Sequence, residues 1–139
     1  SLLWTAPHPA LAPLGFQLRH IAGSTDRLTT YLENGTLSAE QLAFLKSEQS
    51  PGGTLPELLA DLDRQFQRAE SAARAVAPSD YESPRYIGRK RLPTTAAGLI
   101  IHISEHTQRH LGQAVVTAKI LRANAGAAGA AGPGTATSS

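Results

Sequence analysis

Seven positions near the C-terminal end, Leu99, Ile103, His106, His110, Gln113, Thr117 and Ile120, recur at intervals of 4, 3, 4, 3, 4 and 3. That alternation is the a/d seam of an α-helix facing other helices, so it commits this region to a helix inside a bundle. The seam is apolar at its ends and polar at its centre. Polar groups at inward positions cost stability unless they find partners, so the pattern marks a polar cavity within the bundle. His106 and His110 are four residues apart, on one helical face and separated by a rise of about 6 Å. Two imidazoles so placed can lean onto one ion.

The rest of the chain reads as further helices with short connections. Ser1 to Pro13 carries Pro7, Pro9 and Pro13 and is expected to be an extended lead-in. A helix is predicted from Leu14 to about Glu33, with Leu14, Leu18, Ile21, Leu28 and Leu32 as its apolar stripe and Thr25 filling the gap; Asn34-Gly35 stops it. Ser38 and Gln41 form a capping-box pattern that starts a short helix from Ala39 to about Glu48. Thr54 and Glu57 repeat the pattern, and that helix runs to about Val76, burying Leu58, Leu59, Leu62, Phe66, Ala69 and Ala73. From Ala77 to Pro93 the prolines and Gly88 predict a long ordered loop, of the kind that often borders a site. The last helix is expected from Thr94 or Thr95 to about Ala123. The domain therefore covers 1–123, and 124–139, rich in Ala, Gly, Ser and Thr, reads as a low-complexity disordered tail. The fold class is an all-α bundle with one long crossover loop.

Composition narrows the chemistry. There are 139 residues and no cysteine, which excludes disulfides, cysteine-based zinc ribbons and catalysis by a thiol of the protein itself. A net charge of +2 makes no nucleic-acid footprint. No apolar run approaches the roughly 20 residues of a membrane helix. Nothing resembles a secretory signal, so the default expectation is cytoplasmic.

Two histidines make a weak metal site, and zinc-type sites with catalytic character offer three protein ligands and an open position. His8 sits in the Pro-rich lead-in and reads as solvated. His20 is the better third ligand, although it falls about 120° from the centre of its helix's apolar stripe and shares a second face with Phe16, Ser24 and Tyr31. His102 lies beside the seam rather than on it and competes as an alternative ligand; otherwise it supports the site from outside. Gln113, next on the seam, can hydrogen-bond a ligating imidazole and fix its tautomer. Arg85, Arg89, Lys90 and Arg91 form a small basic cluster. Read functionally, Arg89 or Arg91 holds an anionic substrate at the mouth of the site; read plainly, the cluster is a solvated loop.

The stretch Leu92 to Leu121 resembles the closing helix of DinB-like proteins, in which an HxxxHxGQ element recurs; here it is His106, His110, Gly112 and Gln113. Gly15 to Leu28 resembles that family's earlier histidine-bearing helix, with His20 at the matching place. The resemblance implies a DinB-like four-helix bundle and a divalent metal, most often zinc or nickel, held by His20, His106 and His110. It also implies a homodimer and a small-molecule substrate, and in some relatives a low-molecular-weight thiol as cosubstrate. The family usually has a further helix before the histidine-bearing one, where this sequence, which contains no Met, shows only the lead-in; the resemblance leaves open whether the first helix of the bundle is missing from this chain or supplied by a partner chain. Two functional classes follow. One is a metal-dependent enzyme, hydrolase or thiol-dependent transferase; the other is a non-catalytic stress or interaction protein in which the ion is structural.

Overall fold

The computed structural model describes residues 2–130. Four helices carry the fold: α1 (Leu14–Leu32), α2 (Ala39–Ser47), α3 (Leu55–Ala75) and α4 (Ala96–Ala130). The helix α1 is the axis. On one side Leu18, Ile21 and Ala22 pack against Leu58 and Leu62 of α3; towards the other end Leu28 and Leu32 pack against Ala96 and Leu99 of α4. With neighbours on two sides, α1 buries most of its surface, including Gln17, Ser24 and Thr29 off the apolar stripe. The helix α4 runs antiparallel to it, setting His110 beside Gln17 and His106 beside His20.

The predicted starts hold where their chemistry is strong. Both capping boxes form, Ser38 with Gln41 and Thr54 with Glu57. Asn34 adopts a left-handed φ of 59° just past α1, a conformation Asn tolerates at a helix end. Thr95 caps α4 by accepting the Gly98 N–H at 3.0 Å, while the Ala96 and Ala97 N–H groups donate to the Ser83 and Tyr81 carbonyls.

Three expectations are corrected. The segment read as a long loop contains a 3₁₀ turn at Pro78–Asp80 and an antiparallel hairpin, β1 (Pro84–Ile87) with β2 (Leu92–Thr95), in which Pro84 pairs with Thr95 and Ile87 with Leu92. In a two-stranded ribbon every strand has a free edge, so Pro84 and Pro93 need not break it. Gly88, at φ 71°, opens the turn. Next, α4 runs past Ala123 through Ala130. The alanines at 123, 125, 127 and 128 have the highest helix propensity, which outweighs Gly126 and Gly129. The remainder of the predicted tail, 131–139, lies outside the described residues. Finally, Leu59 and Phe66 are exposed, at 46% and 39%, because α3 turns a single edge, through Leu58, Leu62 and Ala69, towards α1.

Candidate metal centre

The site lies where the N-terminal part of α1 meets the middle of α4. His20 projects from α1, and His106 and His110 project from successive turns of α4. One ring nitrogen of each lies within 4.8 Å of the others. The Nε2 atoms of His20 and His106 are 3.0 Å apart, and the ring centroids of His20 and His110 are 4.3 Å apart. The burial of both α1 faces removes the objection to His20: Phe16, on the same second face, stacks on its ring at 5.4 Å and 15°.

Two of the three rings are held from behind. His20 Nδ1 lies 2.7 Å from Glu48 Oε2, and His110 Nδ1 lies 2.8 Å from Gln17 Oε1. Both acceptors are oxygens, so Nδ1 carries the proton in each ring and Nε2 is left with a lone pair. The His20 lone pair faces His106 Nε2 across 3.0 Å, a contact that needs either the His106 proton on that nitrogen or a cation shared by the two rings. Nitrogens bound tetrahedrally to one zinc-sized ion lie about 3.3 Å apart. The donor set, three imidazoles with two backed by hydrogen-bond acceptors, fits a borderline divalent ion.

Glu48 is only 3% exposed although it is a carboxylate. It is satisfied by His20 through one oxygen and by Arg27, at 2.6 Å, through the other. It stands just beyond α2, a helix with no buried residue of its own. Polar contacts seat this short helix. Gln41 reaches Asp26 and Thr30, and Arg19 donates to the carbonyls of Ser47, Ser50 and Gly52. Gly23 permits the approach: a Cβ there would stand 2.7 Å from the Phe44 ring and 2.9 Å from the Arg27 guanidinium, and would also strike Glu48.

Electrostatics favour neutral rings. Burial, with the neighbouring His110 and His20, pushes the His106 pKa down to about 4. His110 is also lowered, first by burial and then by His20 and Arg109, with the Gln113 side-chain hydrogen bond and Glu48 opposing. Both are therefore unprotonated, and free to ligate, at neutral pH.

The sequence-derived residues divide cleanly. His20, His106 and His110 come together, and they are the group of possible ligands found among the described residues. His102 is exposed, with its ring centroid 6.0 Å from that of His106, and lies outside the group. Gln113 lines a cavity of about 620 Å³ together with Phe16, Gln17, Arg109 and Val116; it adjoins the cluster through Phe16, stacked on His20, and Gln17, bonded to His110, and none of the three histidines forms part of its wall. Arg89 and Arg91 line a different cavity with Tyr31 and Tyr86. That cavity is eleven residues along α1 from His20, roughly 16 Å by helical rise. The polar residues that hold the imidazoles, Gln17, Glu48 and Arg27, carry no spacing signal relative to the histidines. Gln17 was legible only as a polar residue one turn before His20 on the same helix.

The architecture and the three-histidine cluster define a helical bundle able to hold a divalent metal. The profile of the DinB superfamily matches residues 1–114, and the chain belongs to that superfamily. Comparison with curated proteins and with solved structures gives no match. Among the described residues no helix is long and apolar enough to cross a membrane.

Proposed function

We propose that this protein is a metal-dependent enzyme whose ion is held by His20, His106 and His110. The observation that carries the reading is the convergence of ring nitrogens whose opposite faces are already engaged, by Glu48 behind His20 and by Gln17 behind His110. A divalent ion held there, zinc or nickel, would supply Lewis acidity enough to bring a water or thiol to its nucleophilic form near neutral pH. Glu48 holds the His20 proton on Nδ1, and Arg27 keeps the carboxylate from swinging towards the site. Gln17 does the same for His110. Three protein ligands rather than four favour an open site over a closed structural one, and the 620 Å³ cavity that adjoins the cluster through Phe16 and Gln17 offers room for a small molecule nearby. The chain has no cysteine, so any thiol is brought by a cosubstrate; the family resemblance supports hydrolysis or transfer to a low-molecular-weight thiol as the reaction. The family resemblance supports a homodimer, and the reading needs neither nucleic acid nor membrane.

The test is elemental analysis of the purified protein and of single alanine variants. Wild type and His102→Ala are expected to retain one divalent ion per chain, and His20→Ala, His106→Ala and His110→Ala to lose it. Equal occupancy in His106→Ala and wild type would overturn the proposal. A large fall in melting temperature on chelation would move the ion from a catalytic to a structural role.

A further inference from the structure

The cavity beside the histidines has a chemical polarity of its own. Its lining holds one cation, Arg109, and no carboxylate. The Arg109 side chain forms no ion pair or hydrogen bond within the described residues, a state it shares with Arg89 and Arg122 and not with Arg27, Arg64, Arg68 and Arg74, which pair with acids; of those three, Arg109 is the one that lines this cleft. Two primary amides share the wall. Gln17 is 5% exposed; its oxygen is taken up by His110, and its nitrogen has no acceptor among the described residues. Gln113 stands one turn beyond Arg109 on α4. Against these donors stand Phe16, Leu11 and Val116, which are apolar, while Gly112 leaves its part of the wall open, since a Cβ there meets nothing within 4 Å.

We infer that this cleft takes a small organic monoanion with an apolar body. The anionic group pairs with Arg109 within reach of the two amides, and the body lies on Phe16 and Val116. N–H donors and a cation gathered on one wall, with no acid to compensate them, favour an acceptor-only group. The inference rests on the proposed metal site for the place where the substrate reacts, but not for its recognition. It also moves the task of holding an anion from the hairpin arginines, Arg89 and Arg91, to an arginine adjacent in sequence to His110.

The test uses three ring compounds of one size and different charge: benzoate, benzamide and benzylamine. Each is titrated into the full-length metal-free protein and into the zinc-loaded protein, following the side-chain amide signals of Gln17 and Gln113 by NMR. Benzoate is expected to bind about tenfold more tightly than benzamide, as a charge-assisted hydrogen bond warrants. Benzylamine is expected to bind most weakly. Arg109→Gln, at an exposed site, should leave the melting temperature unchanged and remove the preference for benzoate. Gly112→Leu should narrow the cleft and weaken benzoate and benzamide alike while metal content stays at the wild-type level. Equal binding of benzoate and benzylamine, or benzoate affinity unchanged in Arg109→Gln or in Gly112→Leu, overturns the inference. The two readings fail separately. Charge preference in the metal-free protein does not depend on the ion, and a wild type that holds no metal overturns the metal centre alone.

Discussion

The two halves of the α1–α4 interface solve different problems with the same pair of helices. At the hairpin end Leu28, Leu32, Ala96 and Leu99 are between 0% and 8% exposed, and they are positioned by volume alone. At the other end Gln17, His20, His106 and His110 meet, and hydrogen bonds set their orientation. The dry half tolerates small shifts at a cost in stability. The wet half depends on a brace, Glu48, presented by a helix that adds no apolar core of its own. Stability and ligand geometry are thus located in different stretches of one interface, and they should be separable by mutation.

The largest effect should come from breaking the dry half. Leu99→Ala, at 0% exposure, is expected to cost about 2–5 kcal/mol in denaturant unfolding with chelator present. Metal content of the folded fraction should be unchanged; a loss of metal would mean that the two halves are coupled. Next comes the brace. Glu48→Gln is expected to weaken metal affinity about 10- to 100-fold, measured by competition with a chromophoric chelator. If affinity is unaltered, the carboxylate does not orient His20. The smallest effect is that of pH on the metal-free protein. His106 is held at a pKa of about 4 in the fold, against 6.5 ordinarily. The unfolded chain therefore takes up more protons between those values, and stability rises with pH across that window. The melting temperature should fall as pH drops from about 6.5 towards 4, and the slope should flatten in His106→Ala.

Much of this was legible beforehand because it rests on periodicity and local chemistry. The 4-3 seam located α4 and turned His106 and His110 inward, and the capping boxes placed the starts of α2 and α3. His20 was found although it sits off its helix's apolar stripe; what the stripe could not reveal is that α1 is central and has a second buried face. The hairpin was hidden by Pro84 and Pro93, which read as breakers when the strands are assumed to be interior. Leu59 and Phe66 were expected in the core because their spacing matches that of Leu62; periodicity names a face but not whether a neighbour covers it. Glu48 and Gln17 escaped for a different reason. Their contacts to His20 and His110 span 28 and 93 residues, and a single Glu at a helix end resembles any solvated one.

The absence of a side chain at position 23 sets a tolerance for the whole centre. Because only a hydrogen fits between α1 and Phe44, the short second helix can sit low enough for its terminal carboxylate to touch an imidazole. Grafting three histidines onto another bundle without that gap would deliver the ligands but leave one ring free to swivel, so the smallest residue in the neighbourhood belongs in any transplant of this site.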